Sequence, residues 1–396
     1  MSEFVLDFDS SETGAPALNN AAGSMIGVLD ACLVTGFNNR AITSIVVTAG
    51  VATATCAGHG YSGSYSKDLE VAGALPAGLN GRKQLTFVDT NTFKFAAVGI
   101  ADQTATGTIT AKRAPLGWIK LFSGTNKAIY KRSDLTATTI MLRVVDTGVA
   151  PASATSARWT AIETATDIDT FRGLCPTAAQ LNNGYFVSKG ADSATAKQWT
   201  LIGSSQLFFL TVQSSYHLPL PNSDQQAFSS MLYLFGDFTS YKPGDAYNCI
   251  LSGEISDNTG GTAHGGRPLG GEQQSFNPGT LGIQCARAYS QFAGAVTLGL
   301  FGAGSTISGS VTQFVFPSPI DSGYLISPKS LLTETVPGGF AARGVMPGFV
   351  YILGIRPIAY RELVDGIVDF SSRKILGLQP YAQSPARVAI DLTGPW

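Results

Sequence analysis

Ser44-Ile45-Val46-Val47-Thr48-Ala49-Gly50-Val51-Ala52-Thr53-Ala54-Thr55-Cys56 is the stretch that decides the fold class. Its apolar residues alternate on either side of Ala49-Gly50, which is the period of a half-buried strand, and the small pair in the middle suits a tight turn. The segment reads as a β-hairpin. Outward from it the same signals recur. Gly58-His59-Gly60-Tyr61 and Asn80-Gly81 supply turns, and Leu85-Thr86-Phe87-Val88 and Phe93-Lys94-Phe95 flank a further turn over Asp89-Thr90-Asn91-Thr92. Gly107-Thr108-Ile109-Thr110 closes the series. Residues 44–112 therefore predict a small all-β domain of about five or six short strands.

The sequence on either side of this domain belongs together. Residues 1–43 form the first part of a main domain and residues 113–396 its continuation, divisible near 253–278, so 44–112 reads as an insertion made where two chain ends lie close. Helical signals are few. Residues 24–35 place Ile26, Leu29 and Leu33 on one face, with Ser24 as cap and Gly36 as a left-handed stop. Shorter helices are expected over 177–181, after Pro176, and over 360–368, where Leu363, Val364 and Ile367 cluster at helical spacing. Strands are expected over 139–145, 159–163, 185–188, 199–202, 207–213, 230–235, 295–301 and 311–316. Together with 45 glycines and 19 prolines for turns, the pattern predicts a mainly β protein: a sandwich or barrel-like main domain with a few short helices and an inserted β domain. No repeat at a fixed period points to a propeller or solenoid.

Composition narrows the function classes. The chain has 396 residues and 44% hydrophobic content, enough for a large core in two or three domains. Only 13% of residues are charged and the net charge is −1, against a usual charged share of about a quarter. Such a surface is expected to meet other protein. With 26 Lys+Arg against 27 Asp+Glu there is no basic footprint, so direct nucleic-acid binding is not expected. No apolar run approaches the roughly 20 residues of a membrane span, and Met1-Ser2-Glu3-Phe4-Val5-Leu6-Asp7 lacks the order of a signal peptide, so membrane insertion is not expected and synthesis in a cytoplasm is. Cys32, Cys56, Cys175, Cys249 and Cys285 are widely spaced and read as free, buried thiols.

No complete catalytic, cofactor or metal set emerges. His59-Gly60-Tyr61-Ser62-Gly63 has Gly63 directly after Ser62 where a nucleophile elbow needs one more residue between them, and it reads as a structural turn. His59, His217 and His264 lie in separate segments without metal-ligand spacing. Asp167 and Asp169, two apart, would share one side of a strand and could be paired acids, though a solvated strand edge is the commoner use. Asp365 and Asp369, one helical turn apart, read the same way. The run from Gly260 to Gly271 lacks the Lys-Ser or Lys-Thr of a phosphate loop and reads as a long surface loop. Phe208, Phe209, Tyr233, Phe235, Phe238 and Tyr241 could make a glycan platform but fit core packing better. The chain is therefore expected not to be an enzyme.

Several motifs resemble those of tailed-bacteriophage virion proteins. His59-Gly60-Tyr61, Asn80-Gly81 and Asn91-Thr92-Phe93-Lys94-Phe95 are similar to a small β module that recurs there. Further likeness lies in Phe4-Val5-Leu6-Asp7 with Gly14-Ala15-Pro16, in Leu116-Gly117-Trp118 through Ser123-Gly124-Thr125-Asn126-Lys127-Ala128, in Phe235-Gly236-Asp237-Phe238 through Tyr247, and in Ala389-Ile390-Asp391-Leu392-Thr393-Gly394-Pro395-Trp396. The resemblance implies a structural part of a virion, assembled in the host cytoplasm, in the tail or baseplate. Its partners would be other virion proteins and copies of itself. A head or neck decoration protein, or an adsorption protein that binds a host surface glycan, are the alternatives. The resemblance carries no catalytic residue.

Overall fold

The computed structural model describes residues 4–61, 67–190, 193–219, 226–254, 283–289, 294–301, 325–327, 330–353, 361–364, 373–378 and 387–396. The chain is mainly β, with several antiparallel sheets that include a curled half-barrel. At its centre lies a ten-stranded antiparallel sheet. In spatial order its strands are Leu6–Asp9, Trp199–Gly203, Leu207–Pro219, Gln226–Asp237, Cys249–Ser252, Ile283–Cys285, Val296–Phe301, Ser330–Val336, Gly339–Met346 and Thr239–Ser240.

Successive residues of the central strands feed two separate cores. Phe208, Leu210, Tyr233 and Phe235 enter one, while Leu207, Phe209, Leu232 and Leu234 enter the other. Burial on both faces explains why 207–213 and 230–235 read as nearly continuous apolar runs. The first core is completed by Met25, Ile26 and Leu29 of a short helix and by a five-stranded sheet ordered Ile119–Gly124, Lys127–Lys131, Met141–Val145, Ser156–Ile162 and Tyr185–Ser188. From that sheet Trp159 meets Phe208 edge-on at 5.7 Å between ring centres. The second core is completed by Phe349, Leu376, Leu378 and Ile390 of another five-stranded sheet, ordered Leu325–Ser327, Phe349–Leu353, Arg387–Asp391, Ile375–Leu378 and Leu363–Val364. Trp396 packs on it too, 5.6 Å from Phe209, with its indole N–H donating to the Asp391 carbonyl at 2.7 Å.

A third core sits inside an eight-stranded sheet ordered Phe37–Ile42, Ile109–Arg113, Lys67–Ala72, Gly81–Asp89, Thr92–Ala96, Val51–Thr55, Ser44–Thr48 and Gln103–Thr104. Ile45, Val47, Ala52, Ala54, Phe93 and Phe95 fill it. Ala49 and Gly50 both have positive φ, 49° and 74°, as the primed turns of two-residue hairpins require. The sheet takes in Phe37–Ile42 upstream, and its other seven strands, from Ser44 to Arg113, exceed the five or six expected from 44–112.

Charge joins this sheet to the main body. Glu12, from the turn after Leu6–Asp9, pairs with Lys67 at 2.6 Å and with Arg113 at 2.9 Å. Arg113 also donates to the Asp68 carbonyl at 3.0 Å and to the Asp7 carbonyl, and lies 4.9 Å over the Phe8 ring. Burial is the main influence on Lys67 and lowers its ammonium pKa, against the raising effect of Glu12.

Local expectations fail where tertiary pairing decides. The predicted helix over 24–35 is an α-helix only over Ser24–Leu29 and continues as a π-helix over Asp30–Thr35. Ser24 does not cap it: its hydroxyl donates to the Asn19 carbonyl at 2.7 Å, while Met25 N–H is satisfied by Asp146 Oδ2 at 2.9 Å. Gly36 does stop the helix, but with φ 71° and ψ 178° rather than the helical left-handed pair. Its real constraint is proximity, since a Cβ there would lie 2.2 Å from the Arg113 carbonyl oxygen. Residues 177–181 make a single turn, Leu181 N–H donating to the Thr177 carbonyl at 2.9 Å. Within 360–368, Leu363–Val364 is a strand paired with Ile375 and Leu376, not a helix. The expected strand at 311–316 lies outside the described residues.

Candidate interaction surface

The residues singled out for chemistry scatter through the fold. His59 is fully buried. Its Nδ1 accepts from the Tyr61 N–H at 2.9 Å and its Nε2 donates to the Asp89 carbonyl at 2.8 Å, so both ring nitrogens are used. The ring stacks on Tyr61 at 5.3 Å and meets Phe93 edge-on at 5.5 Å. The Tyr61 hydroxyl reaches the carbonyls of Asn38 (2.8 Å) and Ala111 (2.6 Å). The His-Gly-Tyr segment is thus a clasp inside the eight-stranded sheet. His217 lies on Leu207–Pro219 opposite Phe228. Ser62, His264, Asp365, Asp369 and the run from Gly260 to Gly271 lie outside the described residues.

Asp167 and Asp169 do not share the face of a strand, because 166–169 is a bend between Thr164–Ala165 and Phe171–Arg172. Asp167 Oδ1 accepts from the N–H groups of Asp169 (2.8 Å) and Thr170 (2.9 Å) and holds that bend. Asp169 instead pairs with Lys127 and Arg143, both at 2.8 Å. These hydrogen bonds keep both carboxyls below the ordinary aspartate range: for Asp167 chiefly the Asp169 N–H, for Asp169 chiefly Lys127. One aspartate shapes a turn and the other ties a hairpin down.

Of the aromatic group, Phe208, Phe209, Tyr233, Phe235 and Phe238 are buried and only Tyr241 is exposed. All five cysteines are free and buried. Among the described residues no group of three or more His, Cys, Asp and Glu side chains is placed to hold a metal ion, and no helix is long and apolar enough to cross a membrane.

The outward face of the eight-stranded sheet is a different matter. Along Ser44–Thr48 and Val51–Thr55 the inward residues are Ile45, Val47, Ala52 and Ala54, which turns Val46 and Val51 outward at 43% and 42% exposure. Register sets Val46 opposite Thr53, Thr53 opposite Lys94, and Lys94 opposite Thr86. Val88 and Val98 are also exposed, Val98 at 87%. Beside the hairpin turn this face dips into a groove of about 820 Å³, lined by Val51, Thr86, Phe95, Ala96, Val98 and Ile100 among others, with Lys94 its one charged lining residue. One rim is fixed by Asp102, whose carboxylate accepts from the Ala49 N–H at 2.8 Å.

With Phe95 turned into the inner core, the exposed lining of aliphatic and hydroxyl side chains with a single ammonium offers neither the aromatic faces used to stack on sugars nor the positive field that binds polyanions. They suit contact with another protein surface, whose core is depleted of charge. The sequence carried a signal for this face, since Ile45-Val46-Val47 is apolar on both sides of the strand. A search against protein-family models finds no match to the chain, and a search of curated proteins likewise finds none.

Proposed function

We propose that this chain is a structural component of a tailed-phage virion, most simply of its tail or baseplate, that works by symmetric assembly with copies of itself and other virion proteins and makes or breaks no bonds. The observation that carries the reading is the outward surface of the eight-stranded sheet, where Val46, Val51, Val88 and Val98 are exposed and Val51 and Val98 line a groove with one charged lining residue. A self-contained β domain with its own core, clasped to a three-layered body by the Glu12, Lys67 and Arg113 cluster, is a rigid way to present such a face. The sequence resemblance in the His59-Gly60-Tyr61 and Asn91-Thr92-Phe93-Lys94-Phe95 motifs supports the virion setting. The low charged fraction favours burial of the surface in a lasting interface over life as a free monomer.

Cryo-electron microscopy of intact particles made by the virus that encodes the chain tests this. The expected result is density for this fold in several symmetry-related copies, with the outward sheet face covered by protein. Particles that lack the chain would overturn the proposal.

A further inference from the structure

Leu135 is the most exposed large apolar side chain among the described residues, at 100% exposure. A lone exposed leucine is ordinary on a protein surface. This one is held up by a rigid turn. The Asp134 carboxylate accepts from the Thr136 N–H (2.8 Å), the Thr136 hydroxyl (2.7 Å), the Ser205 hydroxyl (3.1 Å) and the Gln206 amide (3.3 Å). Gln206 also donates to the Thr136 hydroxyl at 2.8 Å, and the Ser133 hydroxyl donates to the Gly117 carbonyl at 2.5 Å. Residues on both sides of Leu135 are thus tied to separate segments, so little further ordering is needed for the side chain to bind.

The groove on the eight-stranded sheet is the complement of this knob: mostly apolar and open, with the exposed ammonium of Lys94 in its lining and the Asp102 carboxylate of its rim already taken up by the Ala49 N–H. Beside the knob stands the partly exposed Asp134 carboxylate, kept ionised chiefly by the hydrogen bond from the Thr136 hydroxyl. Resting on the assembly reading above, we infer that Leu135 of one copy seats in the groove beside Val98 of a second copy, with Asp134 facing Lys94 across the contact. Knob and groove are different patches of one surface, so the contact is heterologous and generates a ring or an open helical stack rather than an isologous pair.

The buried native thiols permit a direct test. Protein carrying Val98→Cys is activated as a mixed pyridyl disulfide and mixed with protein carrying Leu135→Cys. The attacking thiolate forms the intermolecular disulfide and expels pyridinethiol, so the reaction is balanced and is read by absorbance and by gel. Coupling is expected at least about tenfold faster than to a Val149→Cys control, another exposed valine, because the contact raises effective concentration. Leu135→Asp, which no buried contact opposes, is expected to weaken self-association about 10- to 100-fold, with an unchanged melting temperature at concentrations where both proteins are monomeric. If wild type associates but coupling matches the control and Leu135→Asp associates normally, this contact is wrong and the assembly reading stands. Coupling of Leu135→Cys to pyridyl-disulfide-activated Leu135→Cys as readily as to the activated groove variant also overturns it. A wild type that never associates removes both.

Discussion

Lys189 and Asp146 form an ion pair at 2.9 Å with both side chains at 0% exposure. Lys189 Nζ also donates to the Ala21 carbonyl at 2.9 Å, and the second Asp146 oxygen takes the Met25 N–H. The pair therefore anchors the start of the helix to the sheets. Replacing Lys189→Met keeps most of the unbranched side chain, one atom shorter, and strands a carboxylate in the interior, a change that costs about 3–5 kcal/mol. Burial already pushes the Asp146 carboxyl up, opposed chiefly by the hydrogen bond from Lys189. Without the lysine that rise grows. A carboxyl whose folded pKa lies above its unfolded value penalises the fold when ionised. The penalty is therefore full above the folded pKa, shrinks by about 1.4 kcal/mol per pH unit as pH falls between the two values, and vanishes below the unfolded one. Urea unfolding, followed by the fluorescence of the buried Trp118, Trp159 and Trp199, measures it. The variant's deficit is expected to be greatest near pH 7 and to fall steadily toward about pH 4, and Asp146→Leu added to Lys189→Met should recover most of it. A deficit below about 1 kcal/mol near neutrality, or one that grows in acid, would refute the reasoning.

Three further outcomes are expected. Gly36→Ala places a Cβ 2.2 Å from the Arg113 carbonyl oxygen at a φ of 71°, so it should cost about 2 kcal/mol or more; a thermal melt within about 1 °C of wild type would contradict that. The five buried thiols, with burial pushing Cys285 up to about 11 and Cys249 up to about 12, should resist Ellman's reagent in the native protein and all react after unfolding; rapid native reaction of two or more would show the cores to be open. Asp169→Asn removes the partner of Lys127 and Arg143 on a carboxylate that is 54% exposed, and should shift stability by no more than about 0.5 kcal/mol. A loss several times larger, read by urea unfolding, would mark the hairpin it ties down as part of the core.

The hairpin Ser44–Thr48 and Val51–Thr55 was legible in the sequence because alternation and a small turn pair agree there, and local agreement of that kind needs no distant partner. Leu363, Val364 and Ile367 misled because Ile367 stands at helical spacing from the other two, while the adjacent pair Leu363 and Val364 also suits a strand, and pairing with Ile375 and Leu376 decides for the strand. The change from α to π winding at Asp30 has no residue signature; it accompanies the close passage of Gly36 against Ile109–Arg113 of the eight-stranded sheet. Phe208 and Phe209 could be assigned to the interior but not to different cores, since a strand buried on both faces loses the alternation that tells its sides apart. The aspartates at 167 and 169 were placed on a strand, yet an aspartate that can bond the N–H groups two and three residues on favours a bend. The outward valines were visible in the hairpin but their meaning was not, because only the register sets Val46, Thr53, Lys94 and Thr86 side by side.

The claim that the surface of this chain is used on sibling subunits is tested most directly by sedimentation velocity of the purified protein over about 1–100 μM, a range that spans the affinities of weak and moderate interfaces. The account predicts species heavier than the 41.3 kDa chain, a closed ring or a ladder of stacked oligomers, that dissociate on dilution or on Leu135→Asp. A single 41.3 kDa species at every concentration would contradict it.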